Sequence, residues 1–367
     1  MGTFSLGNIK PEFIAGTELF KDDFKGSTFA NLYESNNGKG SLQGERLSGT
    51  EQKRYFVNAF AQLRVPILKK LEVQAGLNYN KTSFQLDNIF PAESISSQDY
   101  SYNAIWSPQL SLLYKPAALQ TLYVSASHGF SLPGIEETLT PEGTINPNIK
   151  PENGYNLEAG AKFYLFNKKF YTEIALYTMQ VKDLLVAQRT GDDQYVGINA
   201  GKTLHQGIEF SANYFWQLNQ SLLLRPYFAA SVGSYKFKEF IDGDNDYTGN
   251  DLTGVPANKL NGGFTFETAS GLYFSSDFYF TDKIPLNDAN SEYNKSYSLL
   301  NLKAGYRFTL FEGLAAYIAA GANNITNTQY ASMVLVNATG FGGAAPRYYY
   351  PGLPANYYGN LMLTYLF

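Results

Sequence analysis

Residues 71–80 read Leu-Glu-Val-Gln-Ala-Gly-Leu-Asn-Tyr-Asn, with apolar side chains at the odd positions and polar residues or Gly between them. Successive side chains of a β-strand point to opposite faces, so this segment predicts a strand with one apolar face and one polar face. The same alternation recurs at residues 155–165, 205–216 and 297–308. Strands of ~9–11 residues are long enough to cross a membrane, and their signal is this alternation.

The alternation predicts an all-β chain of about 14 antiparallel strands, arranged as an up-and-down transmembrane β-barrel. On these strands Leu71 and Leu77 are predicted to face lipid, whereas Glu72, Gln74, Glu158 and Lys162 are predicted to face the interior. The predicted strands lie near 11–23, 53–65, 71–83, 103–115, 120–131, 154–166, 170–185, 203–216, 220–236, 257–268, 271–283, 297–310, 314–324 and 357–367.

The connections between these strands alternate in length. Short periplasmic turns and long extracellular loops are typical of outer-membrane barrels, whereas a soluble sandwich has no reason to sort its loops in this way. The short turns are predicted at 66–70, 116–119, 167–169, 217–219, 269–270 and 311–313. The long loops are predicted at about 24–52, 84–102, 132–153, 186–202, 237–256, 284–296 and 325–356.

Composition excludes several other classes of protein. The chain has no Cys and two His, which removes thiolate metal sites, disulfide scaffolds and most His-centred catalysis. A net charge of −4 argues against a nucleic-acid partner. The most apolar run, Leu314–Ala322, is about half as long as a membrane-spanning helix requires. Because the first residues lack the pattern of a signal peptide, we expect the amino-terminal part of a barrel protein to lie outside this sequence.

The carboxy-terminal strand carries a second signal. Tyr357, Leu361, Leu363, Tyr365 and Phe367 share one face, and Phe367 is the final residue. A terminal aromatic residue on such a strand resembles the signal read by the barrel assembly machinery, so Tyr365 and Phe367 are predicted to form an assembly signal. The alternative is an ordinary core strand that ends the chain.

Eight segments, in order along the chain, resemble the barrel of TonB-dependent receptors. One departure from the family pattern is Gln206, which stands where Lys or Arg is commoner. The segments are Leu122–Phe130 with Pro133 and Glu136, Asn146–Glu152 with Asn156, Glu158 and Gly160, Val181–Asp183, Asn199–Gly201 with Gly207–Glu209, Gly254–Pro256, Leu299–Leu302, Asn323–Tyr330 and Tyr348–Phe367.

This resemblance implies a bacterial outer-membrane receptor that binds and imports a scarce, bulky nutrient, most commonly a ferric siderophore, with energy from TonB. Members of the family have 22 strands and an amino-terminal plug through which TonB acts. Residues 1–367 are therefore expected to be a barrel domain truncated on its amino-terminal side, without the plug. The alternative is a self-contained, passive 14-stranded porin or fatty-acid channel.

Candidate sites are few, and neither catalysis nor a cofactor is predicted, because no nucleophile elbow, paired-carboxylate cleft or zinc spacing occurs. His128 and His205 fall on predicted strands, and the chain lacks the loop His of haem receptors. The acidic segment Asp242–Asp246, with Asp251, spaces oxygen atoms like a calcium loop. However, Tyr247 replaces the required Gly and no Glu closes the loop, so a solvated loop is favoured.

The predicted ligand contacts are Arg189, Arg347 and the run Tyr348, Tyr349 and Tyr350. A flexible Gly-rich stretch precedes Arg347, so the Arg and the aromatic cluster could form part of an outward-facing pocket. The alternative is that these tyrosines belong to the aromatic girdle at the membrane interface.

Overall fold

The computed structural model describes residues 2–3, 10–92, 96–134, 136–139, 145–191, 194–199, 201–338, 340 and 345–365. Within them the regular structure is β-strand, with two short 3₁₀ turns at Glu34–Asn36 and Glu136–Thr138. Among these residues there is no helix of the length and apolarity needed to cross a membrane.

Fourteen long strands match the fourteen predicted strands one to one: β2 Glu12–Asn31, β3 Gln43–Leu68, β4 Leu71–Phe90, β6 Ile105–Tyr114, β7 Gln120–Ser131, β8 Glu152–Leu165, β9 Phe170–Lys182, β12 Lys202–Tyr214, β14 Leu222–Glu239, β17 Asn258–Thr268, β18 Leu272–Thr281, β21 Tyr297–Phe311, β22 Leu314–Asn323 and β25 Asn356–Tyr365. The shorter strands are β1 Gly2–Thr3, β5 Ser96–Ser101, β10 Leu185–Gly191, β11 Gln194–Asn199, β13 Trp216–Asn219, β15 Ile241–Asp242, β16 Asn245–Asp246, β19 Ile284–Pro285, β20 Tyr293–Asn294, β23 Ala331–Val334 and β24 Tyr349–Pro351.

The chain folds as two compact units, and the long strands of each are paired antiparallel. Unit 1 comprises residues 1–112, 126–155 and 181–200, and unit 2 comprises residues 113–125, 156–180 and 201–367. In unit 1 the strands β1 to β5 pair in chain order. In unit 2 the order is β12, β14, β17, β18, β21, β22 and β25. Each long strand in these series pairs with the next one along the chain, which confirms the up-and-down topology.

Five of the six short turns lie where the sequence predicts them, and one of these requires Gly. The predicted turn at 217–219 is wrong, because these residues lie on β13 and pair with β14, so the turn is formed by residues 220–221. Gly271, between β17 and β18, has a φ of +97°, in the left-handed region that favours glycine. A Cβ atom there would also lie 2.0 Å from the Arg307 carbonyl oxygen on β21. Any side chain at this position would therefore push two hydrogen-bonded strands apart.

The prediction that the long connections are loops is wrong in part, because most of them contain paired strands. In the first, β2 continues to Asn31 and β3 begins at Gln43. Within five of the other six lie β5 and the strand pairs β10–β11, β15–β16, β19–β20 and β23–β24. Side chains need not alternate beyond the apolar part of the membrane, because neither face of the strand contacts lipid there. The backbone N–H and C=O groups still need hydrogen-bond partners. Pairing therefore extends beyond the alternating pattern.

Exposure in both units is the reverse of that in a soluble protein. On β4 of unit 1 Leu77 is 43% exposed, whereas Glu72 is 8% and Asn80 is 4% exposed. On β18 of unit 2 Leu272 is 45% exposed, whereas Ser275 on the opposite face is 9% exposed. Water-soluble proteins bury such leucines and expose their charged residues. Each sheet therefore has an outer apolar face and an inner polar face, as the alternation predicts.

A polar network on the inner face fixes the register of the first strands. The Arg64 guanidinium donates to both carboxylate oxygens of Glu72, at 2.6 and 2.8 Å, and to Glu12 at 3.2 Å. Glu12 lies on β2, Arg64 on β3 and Glu72 on β4, so one side chain ties three strands. A shift by one residue would move Arg64 to the apolar face and break these bonds.

Candidate ligand-binding site

The predicted contact residues near the carboxy-terminus lie on or beside a short hairpin of unit 2. Its strands β23 and β24 pair Val334 with Tyr349 and Met333 with Tyr350. Beyond the paired residues, the Leu335 amide donates to the Tyr348 carbonyl oxygen at 2.6 Å. The backbones of β23 and β24 are therefore held together by their own hydrogen bonds.

The hairpin presents a mixed aromatic and cationic surface. Tyr349 and Tyr350 are 60% and 55% exposed. Arg347 is exposed and Tyr348 is half-buried. Arg347 forms no ion pair with any described residue, so its guanidinium is available to an external partner. The structure therefore brings four predicted contact residues together, while residues 341–344 of the Gly-rich stretch lie outside the described part of the chain.

A polar node around Asp288 holds this hairpin's connection to its neighbours. Asn337 donates through Nδ2 to the Asp288 carboxylate at 2.9 Å, and the Asp288 amide donates to Asn337 Oδ1 at 3.1 Å. The Thr253 hydroxyl also donates to this carboxylate, and Asn250 Nδ2 donates to the Asp288 carbonyl oxygen at 2.8 Å. The node thus joins the connections that follow β14, β18 and β22.

A second pair of hydrogen bonds, between Asn290 and Asp251, joins two of the same connections. Asn290 Nδ2 donates to the Asp251 carbonyl oxygen at 2.9 Å, and the Asp251 amide donates to Asn290 Oδ1 at 2.7 Å. No sequence motif marks Asp288 or Asn290. The Asn-Asp-Ala-Asn run at 287–290 indicates a turn, but nothing in it indicates partners 35 to 49 residues away.

The acidic segment at 242–251 already has internal partners. The Asp251 carboxylate accepts a hydrogen bond from Lys236 Nζ at 3.0 Å. Hydrogen bonds from the hydroxyl and backbone N–H of Thr248 hold the pKa of Asp246 below its ordinary value. The described residues contain no group of three or more acidic or His side chains placed to hold a metal ion.

Arg189 lies in unit 1, on β10, where its backbone pairs with Tyr195 of β11. Its side chain belongs to the part of the chain that the structure does not describe. The prediction that Arg189 contacts the ligand therefore stays a prediction.

The Asn-Pro…Lys-Pro-Glu and Asn-Ala-Gly segments meet in unit 1. Asn199 Nδ2 donates to the carbonyl oxygens of Lys150 and Asp183, both at 2.8 Å, and Asn199 Oδ1 accepts from the Lys150 amide at 2.7 Å. Glu152 accepts from the Leu185 amide at 2.7 Å. These motif residues join loop backbones, so their role here is structural.

The two histidines occupy separate polar environments. The His128 ring lies 3.0 Å from the Ser107 hydroxyl and 3.2 Å from Asn153 Oδ1. His205 Nε2 lies 2.9 Å from the Thr203 hydroxyl. Both rings therefore have protein partners and need no ligand to satisfy them.

The predicted assembly signal is described only in part. Tyr365 is exposed on the apolar face of β25, where it pairs with Leu314. Phe367 lies outside the described residues. The assembly signal therefore stays a prediction.

Solved structures of a siderophore receptor and of two transporters share this fold. The siderophore receptor PiuA of Acinetobacter baumannii matches with a TM-score of 0.73 and 15% identity, over 99% of this chain and 54% of that one. The ferric citrate transporter FecA matches with a TM-score of 0.77 and 16% identity, over 98% and 52%. The copper transporter OprC matches with a TM-score of 0.72 and 17% identity, over 99% and 55%. The chain thus spans about half the length of these proteins.

The sequence also matches a family directly. Residues 3–325 match the family described as TonB dependent receptor-like, beta-barrel. This match covers strands of both units, and it agrees with the inverted exposure and the up-and-down pairing. The chain is an outer-membrane β-barrel chain that belongs to the TonB-dependent receptor family.

Proposed function

We propose that this chain supplies barrel strands to a receptor that captures a scarce nutrient outside the cell and imports it with energy from TonB. The ligand is a ferric siderophore or a similar bulky complex, as the names of PiuA and FecA suggest. Residues 1–367 act as one β-barrel domain, which the family match across both units supports. TonB, lipid and the barrel assembly machinery are the proposed partners, and no enzymatic step is assigned.

The observation that carries this proposal is the exposed hairpin of Arg347 and Tyr348–Tyr350, held in place by the Asp288 node. Many ferric siderophore complexes are bulky, rich in oxygen and anionic. A guanidinium offers positive charge and a fork of N–H donors, while tyrosines pack against flat organic surfaces and donate hydrogen bonds. Arg189 is proposed as a further contact from unit 1.

The double variant R347A/Y349A tests this site in the full-length receptor. We expect its affinity for the preferred complex among ferric catecholate, ferric hydroxamate and ferric citrate to fall about tenfold or more, as for the loss of a charged anchor and an aromatic anchor. Barrel stability should not change, because both side chains are exposed. Tyr357→Ala is the matched control, since Tyr357 is an exposed tyrosine on the apolar face of β25.

The competing assignment of these tyrosines to the membrane interface gives the opposite result. Unchanged affinity with a weakened barrel in R347A/Y349A would remove the hairpin from the ligand site. Uptake that does not require TonB would contradict active transport.

A passive channel is the second candidate, because fourteen long strands lie within the range of strand numbers that close into a porin-like barrel. Single-channel recordings of the 367-residue chain in a planar bilayer test it. Steady conductance in the absence of any further polypeptide would favour the channel over the receptor.

A further inference from the structure

The inner face of unit 2 carries a pair of cations beside the short turns. Lys303, Gly305 and Arg307 follow one another at every second position of β21, so all three lie on the same face. Arg307 pairs with Tyr317 of β22 in the sheet register. The Tyr317 ring lies across Gly305, where an added Cβ would be 2.7 Å from the Tyr317 hydroxyl oxygen. The tyrosine therefore forms a flat shelf between the two cations.

Both cations are positioned by aromatic rings. Arg307 Cζ lies 5.9 Å from the Tyr317 ring centroid. Lys303 Nζ lies 5.6 Å from the same centroid and 5.8 Å from that of Tyr273 on β18. A cation–π contact uses the positive charge but leaves the N–H donors free. The rings thus orient the two cations without satisfying their hydrogen bonds.

The local charge is unbalanced. A cavity of about 420 Å³ is lined by Lys303, Arg307, Tyr273 and Tyr317, with Glu267, Asn360 and other residues completing the wall. Glu267, the acidic residue in this wall, is already paired with Arg225. Within the described part of the chain, neither Lys303 nor Arg307 forms an ion pair. Lys162 is different, because its ammonium lies 2.6 Å from Glu173 on the same inner face.

We propose that Lys303, Arg307 and the Tyr317 shelf form a carboxylate-binding site on the inner face of the barrel wall. The guanidinium supplies a planar fork that matches a carboxylate, and the ammonium supplies a second charge beside it. The carboxylate comes either from a small acid that enters the barrel or from an Asp or Glu side chain of a receptor segment that this sequence does not include. The site does not depend on which nutrient the receptor imports.

Glutarate titrated calorimetrically into the 367-residue chain in detergent tests the site, with neutral glutaramide as the matched probe. We expect glutarate to bind and glutaramide not to bind. K303Q and R307Q should each weaken glutarate binding about tenfold or more, the usual effect of losing one charge-assisted partner. K162Q removes a charge of the same sign that is already paired, and it should leave binding unchanged. Tyr317→Phe should retain binding because it keeps the ring, whereas Tyr317→Ala should weaken it.

Three results overturn the proposal: no glutarate binding by a chain with intact heat-modifiable migration, equal binding of glutaramide, or an equal loss in K162Q and R307Q. The full-length receptor separates the two sources of the carboxylate. Binding of glutarate to both proteins assigns the site to a free acid. Binding to the 367-residue chain but not to the full-length receptor assigns it to a carboxylate of the receptor itself.

Discussion

The hydrogen bonds of Asn199 in unit 1 and of Asp288 in unit 2 both hold long connections in place, but they use different kinds of partner. Asn199 bonds to the backbone of Lys150 and Asp183. The Asp288 carboxylate bonds to the side chains of Thr253 and Asn337. A side chain that bonds to backbone places no demand on the identity of its partner, whereas Asp288 requires a donor at two specific distant positions. Both junctions order long connections, but only the first lies in a segment recognisable by its motif.

A charge on the apolar face of the barrel wall should reduce stability more than the loss of either junction. Leu363→Arg places a charge on the exposed apolar face of β25 and should cost about 2–4 kcal/mol at mid-membrane depth. Unfolding by urea, followed by heat-modifiable migration, measures this. Thr364→Arg is the matched control, because Thr364 lies on the opposite face of the same strand. A similar cost for both variants would contradict the assignment of the two faces.

Removal of the Asp288 carboxylate should have the next largest effect. Asp288→Ala leaves Asn337 and Thr253 without their acceptor, so we expect a loss of roughly 2–3 kcal/mol in the stability of this loop cluster. Limited proteolysis of connections 237–256 and 325–356 should accelerate, while the strands stay protected. Asp244→Ala, in the exposed acidic segment, should change neither rate. Equal protection in both variants would mean that the node does not hold the connections.

Asn199→Ala should open the corresponding junction in unit 1 at a cost of about 2 kcal/mol, since three hydrogen bonds to backbone are lost. Hydrogen exchange at the Lys150 amide reports the change directly, because that amide donates to Asn199. Asn148→Ala, at an exposed position of the same loop, is the control. If the Lys150 amide stays protected in Asn199→Ala, the junction is held by other contacts.

Exchanging the side chains of Asp288 and Asn337 should give the smallest change in the stability of the loop cluster, and it tests their mutual contact specifically. Asp288→Asn alone should cost about 1 kcal/mol, because its amide faces the amide of Asn337. The double variant Asp288→Asn/Asn337→Asp restores a donor opposite an acceptor and should recover most of that loss. Proteolysis rates in a double-mutant cycle measure the recovery. Additive losses would show that the two side chains are not coupled, and the contrast with Asn199 would fail.

The sequence predicted the wall of the molecule well and its connections less well. Strand alternation located β4, β12 and β21, because a strand between an apolar and a polar surrounding must alternate at every residue. The sequence does not predict the extension of β2 and β3 into the connection at 24–52, because backbone pairing outside the membrane does not require alternating side chains. The position of Tyr349 and Tyr350 beside Arg347 and a Gly-rich stretch marks them as candidates, but nothing in that segment predicts their presentation on a paired hairpin.

The amino-acid sequence alone determined the number of long strands, the two faces, the up-and-down order and the family, since each follows from local periodicity or contiguous motifs. Only the tertiary structure decided that Asp288 meets Thr253 and Asn337, and that Lys303 and Arg307 flank the Tyr317 ring. Such contacts depend on the register between strands and on how loops pack. They join residues far apart in the chain, and neither end carries a local signal of its partner.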